Sequence, residues 1–391
     1  VVNAAAPSGA LPPDPVLKAV WADAEAAGFA GWDPYDGLNA PVFRITPLYR
    51  IGPARQAWIQ LVKRSPLNLR PLLGQKREVV AKGLALFAVG AWRLTELGGS
   101  EAGLWRARGT ALLDRLIALR SPGFDEIAWG YPFDWQSRAF FQRRDEPNLI
   151  CSVFGSAAFE ERADGGDRTG VPAEVARFIV RRLRREEGGV AWITYTPATN
   201  TRIHNVNMLG AAHLAVEAAR TGAAEYADLA RRAMEFSVGR IRADGSWPYG
   251  EASNQGWVDN YHMGYNLVAL ERYRQATGET WMDEAFERAW RYWDLRFVDP
   301  DGAPRHFDTS RWPLDIHCPA QAIVTRLALK RLDPDAVAKA RAMAAWTHAN
   351  MSDGHGRFTF QKTRFYANHV PMMRWGQAWM FRALAELSAR G

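Results

Sequence analysis

Residues 244–267 read DGSWPYGEASNQGWVDNYHMGYNL, and they supply the side chains that acid–base chemistry on a sugar requires. Glu251 sits in a turn-rich stretch among Trp247, Tyr249 and Trp257; an apolar setting raises a carboxyl pKa and suits a general acid. Asp259 stands at the start of an apolar helix, where free N–H groups lower a carboxyl pKa and suit a base or nucleophile. Asp315 holds the equivalent place in DIHCPAQAIVTRLAL, and Asp36 in DPYDGLN is a further candidate acid. Two carboxylates of split pKa are what hydrolysis of a glycosidic bond needs. A second chemistry competes with it. His204, His262 and His317, with Tyr261, Arg311, Arg374 and Asn205, offer a base, a partner acid and a cation for an enolate. That set suits proton removal beside a carbonyl or carboxylate, in a sugar or uronate epimerase or a polysaccharide lyase.

The elements that must position these groups repeat. Apolar helices start at Asn148, Asn205, Asp259, Asp315 and Arg374, spaced 57, 54, 56 and 59 residues apart, and KGLALFAVGAWRL from Lys82 is a sixth. Each is apolar almost all round, as buried helices are. Between them lie amphipathic helices over 103–120, 172–187, 225–242, 281–297 and 335–351. Either 14–28 or 52–64 partners the first inner helix. Gly-containing turns and aromatic strand-like stretches (GYPFDW, GVAWITYTP, GSWPYGE, GAPRHFDTS, GRFTFQKTR) lead into the inner helices. The expected fold is all-α, an (α/α)6 toroid of six hairpins in one domain over 14–391, preceded by a flexible lead-in over 1–13.

Every inner helix is entered from the same side, so the starts converge on one mouth, and Asn205, Asp259, Asp315 and Arg374 are expected to line it. Polar contacts to substrate there fall to Gln136, Asn205, Asn207, Asn260, Arg311 and Gln377, with His317, His369 and Arg374 beside them. Trp135, Trp247, Tyr249, Tyr261 and Trp375 offer flat faces for sugar rings; Trp129, Trp192, Trp257 and Trp312 are placed on the same side. The plainer alternative is that Asn and Asp cap the helices and the histidines bond neighbouring loops.

Composition narrows the partners. The chain has 391 residues and a net charge of +7. A basic chain favours an anionic partner, and an acidic polysaccharide or oligosaccharide fits; no nucleic-acid-binding pattern occurs. No apolar run approaches the ~20 residues of a membrane span. The two cysteines, Cys151 and Cys318, make no disulfide framework, and no spacing calls for a metal or another cofactor. Compartment, cytoplasmic or periplasmic, and oligomeric state stay open. A terpenoid cyclase would need an Asp-rich D-x-D-D or D-D-x-x-D string, which the chain lacks. A non-catalytic glycan-binding or scaffold protein would keep the aromatics and drop the acid–base groups.

GWDPYDGLNAP (31–41), QLVKRSPLNLRPLLG (60–74), KGLALF (82–87), DGSWPYGE (244–251) and WVDNYHMGYNL (257–267) resemble a bacterial family found with exopolysaccharide genes, whose members are often labelled polysaccharide biosynthesis protein. The resemblance covers most of the chain and implies a six-hairpin fold and a role with bacterial glycans, with no agreed reaction. More distantly the layout is similar to six-hairpin glycosidases, unsaturated glucuronyl hydrolases and sugar 2-epimerases. A glycoside hydrolase is the first expectation, the epimerase or lyase the second. Within DPYDGLN, Asp33 and Asp36 either cap a turn or reach across the mouth, and Arg70 ties loops together.

Overall fold

A computed structural model describes residues 15–162 and 170–391; the lead-in expected over 1–13 lies outside the described residues. The chain folds as α1 (Pro15–Ala26), α2 (Pro41–Arg44), α3 (Gly52–Arg64), α4 (Ala81–Glu96), α5 (Ala102–Ala118), α6 (Leu149–Glu160) and α7 (Val171–Phe178). It continues with α8 (His204–Thr221), α9 (Ala224–Val238), α10 (Asn260–Thr277), α11 (Asp283–Arg296), α12 (His317–Ala328), α13 (Ala336–Met351) and α14 (Ala378–Arg390). Helices α4, α6, α8, α10, α12 and α14 pack each against the next, and α14 returns to α4, closing a ring. Outside it, α5, α7, α9, α11 and α13 each cover the inner helix they precede or follow. This is the (α/α)6 toroid.

The outer partner that closes the ring is α1. Its Trp21 packs edge-on to Phe87 of α4 and Trp105 of α5, and against Phe381 of α14. Helix α3 instead joins α2 around a separate small core of Leu38, Ala40, Phe43 and Ile59. The ring's own core is continuous: every residue from Ala81 to Thr95 in α4 and from His317 to Leu327 in α12 is buried.

Helices this crowded need small residues where they touch. A Cβ on Gly90 would lie 2.6 Å from the Phe381 ring, and one on Gly155 2.6 Å from Trp129. Gly155→Val is therefore expected to destabilise the fold by roughly 1–3 kcal/mol, the usual cost of overpacking. Chemical denaturation reads this directly, and an unchanged midpoint would contradict such close packing.

At the C-terminal ends of the inner helices, ion pairs link α4 to α6 and α10 to the end of α12, through Arg93 with Glu161 and Arg331 with Glu271 at 2.8 Å, and Arg272 of α10 reaches past α8 to Glu160 of α6. Burial would raise the Glu160 carboxyl, but the Arg272 charge and the His213 ring hold it well below its ordinary value. That end of the ring is filled by charge pairs, which leaves the N-terminal end as the open one.

The outer helix expected over 172–187 is shorter. Helix α7 passes into a π-helical turn at Ile179–Leu183, and Arg184–Glu187 form a strand, β1, antiparallel to β2 (Val190–Ile193). Gly188 and Gly189 connect them with φ of +57° and +81°, the two positive values that a two-residue hairpin turn demands. The backbone pairing overrides a helical charge pattern that reads through it.

Candidate active site

The starts of the inner helices and the loops before them enclose a cavity of about 700 Å³. Helix α4 contributes Lys82, α6 Ile150, α8 Asn205, and α10 Tyr261, His262 and Tyr265. Arg374 and Trp375 come from Met373–Gln377, a π-helical turn before α14, a distortion often found at functional sites. Helix α3 and the loop around residues 363–366 form part of the rim.

His262 is the most directed titratable group. Asp259 caps α10, accepting from the His262 backbone N at 3.0 Å and standing 2.6 Å from the ring Nδ1. The Trp257 indole donates to the same carboxylate at 2.9 Å. Burial would raise the Asp259 carboxyl, but the adjacent His262 ring outweighs it and holds the carboxyl below its ordinary value. Nδ1–H is thus fixed toward Asp259, which leaves Nε2 to meet a ligand; a carboxylate behind a histidine sets its tautomer and orientation in this way. The i, i+3 spacing at a helix start makes both the cap and the dyad.

Arg374 is buried and donates to Asp33 through Nε (2.6 Å) and Nη2 (2.8 Å). Its Nη1 makes no hydrogen bond to the described residues. Asp36 is held by Arg70 Nε at 2.7 Å, and Arg70 Nη2 donates to Asp33 O at 2.7 Å. Of the two alternatives for DPYDGLN, Asp33 and Asp36 are tied within a turn, while Tyr35 lines the cavity and Asp33 holds Arg374 from behind the wall. Burial lifts the Asp36 carboxyl to about 6, yet it faces Arg70 and not the cavity.

Beneath Tyr261 and Trp375, His317 Nδ1 lies 3.1 Å from the Trp375 carbonyl oxygen and Nε2 lies 2.5 Å from the Tyr265 hydroxyl. This network assigns the proton to Nδ1 and makes Tyr265 the donor to Nε2. Burial, reinforced by the Lys82 charge, pushes the His317 pKa well below its ordinary value, so His317 is a neutral support. Lys82 Nζ is 3.4 Å from the Tyr265 hydroxyl and 4.1 Å from the Phe154 ring centre, with no carboxylate pairing it. Burial and then the Arg374 charge drive its pKa well down.

Several expected site residues lie elsewhere. Glu251 is ion-paired with His204 Nε2 at 3.3 Å and Arg240 at 3.0 Å. These partners hold its carboxyl near 2, the opposite of the raised value an apolar loop predicts, so it is no general acid for this cavity. His204 is fully buried, its Nδ1 against Ser237. Asn207 accepts from Ile193 N and donates to Ala233 O, and Asn260 donates to Arg305 O. Both amides join loops to helices and are absent from the cavity wall. Arg311 pairs with Asp299 and Asp301 outside the cavity. Gln377 accepts from Phe358 N, and exposed His369 contacts Thr359. Trp129, Trp192 and Trp247 are buried packing residues that do not line the cavity.

Asp315 and Asp259 stand one layer behind the wall. Asp315 accepts from the Trp375 indole at 2.8 Å and from Gln361 at 3.1 Å, both wall residues. Of the four residues expected at one mouth, Asn205 and Arg374 line it, and the two aspartates orient groups that do. The wall does contain the expected Trp135, Gln136, Asn205, Tyr249, Tyr261 and His262, with Trp375, Trp257 and Trp312. Asn205 Oδ1 is buried and meets no donor among the described residues.

Sequence reasoning missed Lys82, Tyr265 and His306 as chemistry. A lysine opening an otherwise apolar helix was the available signal for the first, and Tyr265 one turn after Tyr261 for the second. His306 sits in a loop, stacks on Phe307 and lies tilted against Tyr261; only the fold brings it to the wall.

The wall as a whole has a clear sign. Lys63, Arg64, Lys82, Arg138, Arg364 and Arg374 face the cavity, and no Asp or Glu among the described residues does. No group of three or more His, Cys, Asp or Glu among the described residues is arranged to hold a metal ion.

Neither a protein-family model nor a curated protein matches the sequence. Solved structures share the fold at low identity. Cellobiose 2-epimerase from Bacillus thermoamylovorans superposes with a TM-score of 0.60 at 8% identity, over 79% of this chain and 87% of that one. The unsaturated glucuronyl hydrolase from Bacillus sp. GL1 does so with a TM-score of 0.57 at 16% identity, over 95% and 94%. A D-mannose isomerase gives 0.56 at 9% identity, over 78% and 86%. At these identities the likeness establishes the six-hairpin toroid and nothing finer.

Proposed function

We propose that this protein is a carbohydrate-active enzyme that removes a proton from the carbon beside a uronate carboxylate, in epimerisation or β-elimination of an acidic saccharide. The observation that carries this is the cavity wall: six Lys and Arg side chains, no carboxylate among the described residues, and a histidine oriented by a buried aspartate. Hydrolysis of a glycosidic bond ordinarily uses two carboxylates flanking it; Glu251 and Asp36 are ion-paired away from the cavity, and Asp259 and Asp315 stand behind its wall. The names of the superposing proteins, an epimerase, an isomerase and a glucuronyl hydrolase, are in keeping with sugar and uronate chemistry on this scaffold.

In this reading the substrate carboxylate meets Arg374 Nη1 and Lys82. His262 Nε2 takes the proton from the adjacent carbon, and the electron pair moves into the carboxylate as an enolate, which the two cations stabilise. Burial holds the Tyr261 hydroxyl well above its ordinary pKa, so it keeps its proton at neutral pH. Its hydroxyl bonds none of the described residues and its ring lies 4.4 Å from His262. In elimination Tyr261 protonates the departing glycosidic oxygen as a C=C bond forms; in epimerisation it returns a proton to the opposite face of the same carbon. Trp135, Trp257 and Trp375 offer faces to the sugar rings, and Asn205 Oδ1 accepts from a sugar hydroxyl.

The test is incubation with uronate-containing polysaccharides and oligosaccharides in deuterated water, followed by NMR. Deuterium at the carbon bearing the carboxylate, or a new unsaturated signal, is expected and separates the two outcomes. New reducing ends without either would return the assignment to hydrolysis.

A further inference from the structure

The positive charge of this protein is concentrated. Residues 37–77 contain eight Lys and Arg and no Asp or Glu, whereas the whole chain has a net charge of only +7. Arg44, Arg50, Arg64, Lys76 and Arg77 of this stretch are exposed. The same stretch holds seven of the fifteen exposed large hydrophobic side chains among the described residues. Ile45 is 85% exposed, Leu72 84% and Leu67 72%, with Leu48, Ile51 and Leu61 at or above half. These residues belong to α2, α3, the turns joining them and the loop after α3, which gather around the small core of Leu38, Phe43 and Ile59, with Leu73 of that loop packed against it. The stretch turns its rings inward and its aliphatic side chains outward: Phe43 is buried and stacks on Trp58 at 4.6 Å.

Of the five exposed cations only Arg44 has a carboxylate partner among the described residues, Asp134 at 3.5 Å; exposed aliphatic groups set among such cations are the composition of a surface that lies on a membrane, where apolar burial and attraction to anionic headgroups add. A saccharide would ask for exposed aromatic faces, and none of the aromatic residues in 37–77 is exposed. We propose that residues 37–77 dock the protein onto an anionic lipid bilayer. The proposal is independent of the reaction assigned above. It has a spatial consequence, because Gln56, Gln60, Lys63 and Arg64 of α3 also line the cavity. Tyr366 donates to the Arg64 carbonyl at 2.8 Å and brings Phe365, 88% exposed, to the same rim. Docking therefore sets the cavity mouth beside the membrane. No helix among the described residues is long and apolar enough to cross one.

Co-sedimentation of the full chain with vesicles tests this, using phosphatidylcholine alone and phosphatidylcholine mixed with phosphatidylglycerol. Binding is expected to the mixed vesicles only, and to be lost at about 1 M salt, where screening is nearly complete. The double variant Arg50→Gln/Lys76→Gln should lower partitioning roughly fivefold per charge removed. Ile45→Ser/Leu72→Ser should lower it as well, with the melting temperature and the deuterium-exchange activity unchanged, since neither side chain is packed. Equal binding to neutral vesicles, no sedimentation with either, or variants that bind like the parent would overturn the proposal. So would a surface that pairs two copies, seen as a dimer abolished by Ile45→Ser/Leu72→Ser, or one retained by an acidic polysaccharide and not by vesicles.

Discussion

Replacing His262 with alanine is expected to lower deuterium exchange and product formation by on the order of 10²–10⁴, the contribution of a positioned proton-transfer group. The protein should remain folded, because the ring is partly exposed in the cavity wall and the cap on α10 is made by the backbone N of residue 262. Asp259→Asn probes the same device from behind. Three donors converge on Asp259: the backbone N of His262, the ring Nδ1 and the Trp257 indole. The backbone N meets Oδ1 and the other two share Oδ2; an amide has one acceptor oxygen where the carboxylate has two, so at least one of the three loses its partner, and the ring and the indole both do if the NH₂ takes the Oδ2 place. If the amide NH₂ turns to the ring, the imidazole must carry its proton on Nε2 and cannot accept one there. Asn is still a good helix cap, so activity should fall with stability largely kept. Retention of rate within about tenfold in His262→Ala would remove this histidine from the proton-transfer role.

Lys82→Met is expected to stabilise the protein while impairing it. Lys82 is 3% exposed and lies against Phe154, Tyr265 and Trp379. A cation in such a place costs stability, and replacing buried charge with an apolar side chain of similar volume gains up to ~1–4 kcal/mol. The pH dependence has a definite sign. Burial and the Arg374 charge depress the folded-state pKa of Lys82 well below the ordinary 10.5. Between the depressed value and 10.5 the unfolded chain binds more protons than the folded one, so the wild type gains stability as pH rises through that window. The advantage of Lys82→Met is therefore largest at low pH and shrinks as pH approaches 10.5. Denaturant midpoints for both proteins across pH check this; a variant less stable than the parent at neutral pH would show that Lys82 is a structural partner instead. In the reaction, an anionic substrate beside Lys82 favours its protonated form. Loss of that charge-assisted contact, worth about 1.5–3 kcal/mol, should lower kcat/KM by one to two orders of magnitude.

The sequence by itself determined the architecture. A buried helix recurs every 54 to 59 residues from Asn148 onward, and Asp259 and Asn148 do cap helices as their residue types dictate. Apolar periodicity and capping are local signals, so they survive being read along a line. The aromatic and polar wall was also legible in part, through Trp135, Tyr261, His262 and Arg374, because helix starts on one side of a closed ring must converge. What only the tertiary structure decided is which polar groups face the cavity and which face each other. Glu251 and Asp259 are eight residues apart in comparable sequence, yet one pairs outward with Arg240 and His204 while the other turns its histidine inward. Asp33 meets Arg374 across 341 residues and Arg70 meets Asp36 across 34. A carboxylate's pKa and role follow from its nearest charges and its distance from water. Those neighbours are set by ring closure, which no local pattern encodes.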